Sequence, residues 1–172
     1  MLTEYEQSQI AESIGVLERE IDSYGVNLGG KSLRHYLRLK LAIAPFEQFG
    51  VVLINSNNKV ISVDTLFYGG VGEVAVNLRA LAAHVLSSAA TSVALFHNHP
   101  DIQYSASRQD VNLSKRVINS LRPFGVQCID HFIVAGDIYS MAADSAYSHL
   151  FQSPEPVDQN VVANSAAQEM DL

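Results

Sequence analysis

Two histidines and one aspartate form the clearest metal-binding pattern in this sequence of 172 residues. His97 and His99 are two residues apart at the end of a predicted strand, so their imidazoles are expected on the same face. Asp110 follows eleven residues after His99, in the first turn of a predicted helix, and the intervening loop can return its carboxylate to the histidines. Two imidazoles and a carboxylate suit zinc with a fourth position open to water. The spacing therefore predicts a catalytic metal site.

Each part of this pattern also has a purely structural interpretation. Two histidines at a strand end can simply be solvated. Ser107 and Asp110 fit a capping box, in which each side chain binds the backbone amide of the other residue. A carboxylate turned toward a metal is not expected to cap its helix fully.

Two other enzyme classes have motifs with similar residue types, and neither motif fits this segment. The metallo-β-lactamase pattern needs an aspartate and a third histidine directly after the pair, where this chain has Pro100, Asp101 and Ile102. The ββα nucleases space their His, Asn and His residues far apart. The contiguous triplet His97-Asn98-His99 is therefore no evidence for a nuclease.

The elements that must position these residues follow from hydrophobic periodicity. A first helix is expected from a capping box at Thr3 to about Asp22, and a second from Ser32 until Pro45 stops it. A hairpin, a helix, the strand with the histidines, the helix with Asp110 and two final strands complete the order. This order predicts an α/β (mixed α+β) fold, with helices packed on one mixed sheet.

Composition and charge exclude several classes of function. The single cysteine, Cys128, permits neither an internal disulfide nor a cysteine-based zinc finger, and it is expected to be a small buried hydrophobe. No apolar run approaches the roughly 20 residues of a membrane span, and the acidic start is unlike a secretory signal, so we expect no membrane and a cytoplasmic location. The net charge of −7 arises entirely beyond Arg122, the last basic residue. Without a cationic surplus, nucleic-acid binding is not expected.

Three segments together resemble the JAMM motif of the JAB/MPN metalloproteases, most closely in its RadC-like branch. They are His97–Pro100, Ser107–Val111 and Asp130–Phe132. The resemblance extends from about residue 37 to residue 141 and implies a JAB/MPN-type, cytidine-deaminase-like mixed sheet flanked by helices. It also implies a RadC-like JAB/MPN metalloprotease domain over 45–143. We expect an N-terminal helical segment over 1–44, and a short helix with an acidic flexible tail over 144–172.

The resemblance implies a role for each residue that matches the motif. His97, His99 and Asp110 would bind Zn²⁺, Glu47 would act as general base, and Ser107 would donate to the oxyanion. The implied reaction is hydrolysis of an amide, either a peptide bond or a lysine isopeptide. The expected partner is a protein or peptide substrate, including a ubiquitin-like conjugate.

Some features leave alternatives open. Spacing alone does not choose Glu47, because Glu73 lies in a glycine-rich loop and is a rival acid. His131 is expected to be a structural residue of the sheet, or else a residue behind the ligands or an alternate ligand. Residues 101–106 lack the glycine and prolines usual in the RadC-like loop, which affects substrate positioning more than the ligands.

Two rival functions accompany the hydrolase. One is a non-catalytic MPN-type scaffold, and the other is a DNA-repair or mobile-element RadC-like factor. The intact residue set favours the enzyme over the scaffold. Residues 1–44 are too short, and too acidic at their start, to form the helix-hairpin-helix module of full-length RadC proteins, which weakens the link to DNA repair.

Overall fold

The computed structural model describes residues 3–24, 31–42, 44, 46–69, 75–99 and 104–152. Several features named above lie outside these ranges, namely the linker at 25–30, Pro45, Glu73, residues 100–103 and the tail beyond residue 152.

Nine helices and strands appear in the described ranges, in the order that the sequence predicts. They are α1 (Glu4–Tyr24), α2 (Lys31–Ala42), β1 (Gln48–Ile54), β2 (Val60–Tyr68), α3 (Leu78–Leu86), β3 (Ser92–Asn98), α4 (Arg108–Leu121), β4 (Gln127–Ala135) and β5 (Asp137–Ser140). Short 3₁₀ turns occupy Arg122–Phe124 and Ser148–Leu150. The fold is thus the mixed α/β arrangement expected from the sequence.

The five strands form one mixed sheet in the order β2-β1-β3-β4-β5. All neighbouring pairs are antiparallel except β3 and β4, which are parallel. A parallel pair needs a crossover, and α4 supplies it. The crossover helix begins near the C-terminal end of β3, so the start of α4 lies beside the histidines.

Apolar layers cover both faces of the sheet. One face packs against α3 and α4, while α2 covers the other. Because the central strands are buried on both sides, β1 and β3 are almost continuously apolar rather than alternating. This double burial makes β3 a rigid support for the site at its end.

The helices begin and pack as their sequences indicate. Thr3 and Glu6 form a capping box at the start of α1, with the Thr3 amide donating to the Glu6 carboxylate at 2.7 Å. Leucine and tyrosine side chains at helical spacing form the buried face of α2: Leu33, Tyr36, Leu37 and Leu41. None of the helices in the described ranges has both the length and the apolar composition that a bilayer crossing requires.

Gly50 is dictated by close packing near the start of β1. A Cβ atom there would lie 2.3 Å from the backbone oxygen of Asp64 and 2.3 Å from the Phe96 ring. Any side chain at residue 50 would therefore collide with both neighbouring strands, β2 and β3.

Candidate metal and catalytic site

The structure brings His97, His99 and Asp110 together at the end of β3. The two histidine Nε2 atoms are 2.8 Å apart, and Asp110 Oδ1 lies 3.1 Å from His97 Nε2. Asp110 Oδ2 is 3.6 Å from His99 Nε2. Ligand atoms around one tetrahedral zinc lie about 3.4 Å apart when each bond is about 2.1 Å. The observed separations bracket that value, so this donor set fits one zinc-sized ion.

Burial is graded across the three residues. The side chains of His97, Asp110 and His99 are 2%, 10% and 15% exposed. His97 is therefore the most enclosed of the three side chains, and His99 is the most exposed to solvent.

Asp110 divides its two carboxylate oxygens between the helix cap and the histidines. The Ser107 amide donates to Asp110 Oδ2 at 2.7 Å, and the Asp110 amide donates to Ser107 Oγ at 3.1 Å, so the capping box is complete. Oδ1 remains directed at His97. A complete cap therefore coexists with a carboxylate oxygen that faces His97.

The charge state of Asp110 suits a metal ligand. Burial on its own would raise the pKa of the Asp110 carboxyl, but the hydrogen bond and charge of His97 and the hydrogen bonds of Ser107 outweigh it. The result is a pKa below the ordinary aspartate value. The carboxylate is thus ionised at neutral pH and can bind a cation without first losing a proton.

Glu47 lies directly before β1 and is half-buried. Phe49 pairs with His97 across the antiparallel β1–β3 ladder, and their rings stack at 6.3 Å. If this register continued for two residues beyond the paired segment, Glu47 would lie opposite His99. Its backbone carbonyl accepts the Gly69 amide at 2.7 Å.

Asn98 holds the segment around Glu47, a role that the sequence analysis did not assign. Its side-chain oxygen accepts the Gln48 amide at 2.7 Å, and its NH₂ group donates to the Phe46 carbonyl at 3.2 Å. Both neighbours of Glu47 are thereby tied to β3 between the two histidines. The available signal was a buried amide within an apolar strand, since such a group must find partners.

His131 stands behind His97, on β4. His97 Nδ1 lies 2.9 Å from His131 Nε2, and Ser114 Oγ of α4 lies 2.8 Å from His131 Nδ1. Ser114 and His131 are fully buried. Burial, followed by the charge of His97, holds the pKa of His131 well below its ordinary value, so the ring is neutral. Of the interpretations left open, the geometry matches a residue behind the ligands.

Asp130 fastens β4 to the turn after β5. Asp130 Oδ1 accepts the amides of His131 and Ala142 at 2.7 and 2.9 Å, and Oδ2 accepts the Ser140 hydroxyl at 2.6 Å. Burial raises the pKa of the Asp130 carboxyl, and these hydrogen bonds only partly oppose the rise. The two residues thus combine hydrogen bonds that hold β4 to the turn after β5 with a contact to His97.

Substitutions at Asp130 are expected to separate hydrogen bonding from charge. Asp130→Ala should lower the free energy of unfolding by about 2–4 kcal/mol, because two amides and a hydroxyl lose their acceptor. Asp130→Asn should stay within about 1 kcal/mol of wild type at pH 4, because the amide side chain can meet all three groups. Urea unfolding measures both.

The pH dependence gives a second check on the hydrogen bonds of Asp130. Since the folded pKa is raised, the contribution of Asp130 to stability is complete below the ordinary pKa and is lost as pH rises through the folded value. Asp130→Asn should therefore gain stability relative to wild type between pH 4 and 7. A difference that is constant over this range would contradict the raised pKa.

Cys128 takes no part in the site. It is buried, as expected, and burial together with the nearby Asp130 charge raises the pKa of its thiol to about 12. A thiol of this kind is not a nucleophile at neutral pH.

Comparison with known proteins assigns the family. The RadC-like JAB domain matches residues 29–146, which is more than half of the chain. UPF0758 protein YkfG of Escherichia coli K12 is 31% identical over 143 residues, which cover 82% of this chain and 90% of YkfG. UPF0758 protein YfjY of the same strain is 30% identical over 138 residues, covering 79% and 86%.

Other relatives are longer. A UPF0758 protein of Paracidovorax citrulli is 36% identical over 115 residues, which cover 66% of this chain but only 48% of that protein. The chain thus spans about half the length of this relative. The segment matched by the RadC-like JAB domain includes Glu47, both histidines and the α4 cap. The chain belongs to the RadC-like JAB domain family.

Proposed function

We propose that this protein is a zinc-dependent hydrolase of amide bonds that acts on a protein or peptide. The observation that supports it most directly is the meeting of His97, His99 and Asp110 at one partly open point. Family membership and the pairing of Phe49, two residues after Glu47, with His97 agree with this proposal.

The ligands would be His97 Nε2, His99 Nε2 and an Asp110 carboxylate oxygen. Bound zinc would act as a Lewis acid that brings the pKa of a water molecule toward neutrality and polarises the scissile carbonyl. Two histidines with one carboxylate also occur as iron ligands, so the identity of the metal has to be measured. The resemblance to the JAMM motif favours zinc.

Glu47 would move the protons of the reaction. Its carboxylate would take a proton from the attacking water and later deliver it to the leaving amine. The Asn98 side chain fixes the backbone on both sides of Glu47, so the carboxylate starts from a defined position. Such positioning is a substantial part of the rate gain in general base catalysis.

Ser107 would stabilise the negative charge that forms on the carbonyl oxygen. Its Oγ accepts the Asp110 amide, a contact that does not use the hydroxyl proton. That proton can therefore be donated to the developing oxyanion. A single donor of this kind contributes about 3 kcal/mol in comparable sites.

The deciding experiment measures metal content and hydrolysis on the same preparation. We expect about one zinc per chain, cleavage of at least one member of a peptide and lysine-isopeptide panel, and loss of cleavage with a chelator. Added zinc should restore it. Zinc without any cleavage would favour the non-catalytic scaffold, and a chain without zinc would overturn the proposal. Strongly salt-dependent DNA binding would favour a nucleic-acid role.

A further inference from the structure

A series of buried contacts links the backbone carbonyl of Asp110 to the ring of His97. Ser114 Oγ lies 2.7 Å from the Asp110 carbonyl oxygen and 2.8 Å from His131 Nδ1. His131 Nε2 then lies 2.9 Å from His97 Nδ1. All three side chains are buried, with 0%, 0% and 1% of Ser114, His131 and His97 exposed. Water is therefore not expected to replace any of these contacts.

The Asp110 carbonyl sets the direction of every hydrogen bond in this series. A carbonyl oxygen only accepts, so the Ser114 hydroxyl must donate its single proton to it. Toward His131 the hydroxyl is then an acceptor, and His131 Nδ1 must carry a proton. The thioether of Met141, 3.8 Å from the hydroxyl, is a much weaker acceptor and does not compete.

The same reasoning fixes the tautomer of His97. A neutral His131 that is protonated at Nδ1 has a lone pair at Nε2 and accepts there. His97 Nδ1 must therefore donate to it. In the neutral form of His97, which is the form that binds a metal, Nε2 is then left without a proton. That nitrogen is the atom directed at His99 and Asp110.

We propose that His131 and Ser114 are positioning residues that hold His97 in the tautomer a metal ion requires, with the Asp110 carbonyl as the fixed end of the series. Asp110 thus contributes twice, through a carboxylate oxygen as a ligand and through its backbone oxygen as the anchor of another ligand. Substitution of a residue that orients a histidine ligand commonly weakens metal binding by 10- to 100-fold. This proposal depends on the proposed function only in requiring that the site bind a metal.

A matched pair of substitutions separates positioning from a merely structural role. In His131→Gln the side-chain oxygen can occupy the place of Nε2 and still accept from His97. In His131→Asn the amide can occupy the place of Nδ1 and still reach Ser114, but His97 loses its partner. Each variant gives up one buried hydrogen bond, so the thermal stabilities of the metal-free proteins should fall alike.

Zinc affinity should distinguish the pair. Competition with a chromogenic chelator should show about 10- to 100-fold weaker zinc binding for His131→Asn. For His131→Gln we expect a value within about threefold of wild type, as rescue by the variant that keeps the acceptor. Equal affinities in wild type and His131→Asn would overturn the proposal, as would equal losses in the two variants.

A second readout needs no metal. Imidazole ¹⁵N spectra of the metal-free protein should show His131 protonated at Nδ1 only, and Ser114→Ala should populate the other tautomer. A wild-type His131 protonated at Nε2 would overturn the inference while leaving the hydrolase proposal intact. A wild-type protein with the expected tautomer but no zinc affinity would instead overturn the hydrolase and the positioning role together.

Discussion

Glu47→Gln is expected to lower amide hydrolysis by about 10²- to 10⁴-fold while the protein keeps its zinc. Glutamine has nearly the shape of glutamate but cannot accept a proton from water. The backbone of residue 47 is tied through its neighbours to Asn98, so the substitution should leave the segment in place. Turnover of the best substrate and zinc content on the same sample measure the two effects.

Two further substitutions make this prediction specific. Glu12→Gln makes the same chemical change on the exposed surface of α1 and should keep full activity. Glu73→Gln tests the rival acid of the glycine-rich loop and should also remain active. Activity retained in Glu47→Gln but lost in Glu73→Gln would show that the sequence analysis assigned the base to the wrong acid.

The convergence of His97, His99 and Asp110 was predictable because it depends on local rules. Strand alternation places His97 and His99 on one face, and a capping box places Asp110 in the first turn of α4. The connection from the end of β3 at Asn98 to the start of α4 at Arg108 is short, so the first turn of α4 cannot lie far from the histidines. These three rules need no knowledge of how distant segments align.

The contacts behind the ligands were not predictable because they depend on register between distant strands. His131 lies beside His97 through the parallel pairing of β3 and β4, which contains a shift between Val93 and Ala94. A one-residue change in that pairing would turn His131 to the other face. Asn98 reaches β1 across 50 residues of sequence for the same kind of reason.

The ends of strands are hard to predict for the same reason, because they depend on pairing with a distant strand. The sequence predicts β2 only as far as Val63, whereas the structure continues the strand to Tyr68. The extra residues pair with the start of β1 through an irregularity between Phe49 and Gly50. Pairing with a neighbour, rather than the local apolar pattern, keeps these residues in the sheet.

Asp110→Asn is expected to weaken zinc binding by more than about 100-fold, a larger loss than removal of a residue that merely orients a ligand. The aspartate uses one oxygen for the Ser107 amide and directs the other at His97. Asparagine has only one oxygen. If that oxygen keeps the cap, the NH₂ group faces His97 Nε2 and occupies its lone pair. Chelator competition and the loss of hydrolysis measure the result.

The stability of the same variant separates the two uses of the carboxylate. With the cap retained, the free energy of unfolding of metal-free Asp110→Asn should change by less than about 1 kcal/mol. Asp137→Asn removes one negative charge from an exposed side chain of β5 and should leave zinc affinity unchanged. Tight zinc binding by Asp110→Asn would show that the carboxylate serves only the helix cap, and two histidines alone would then have to explain any metal in the protein.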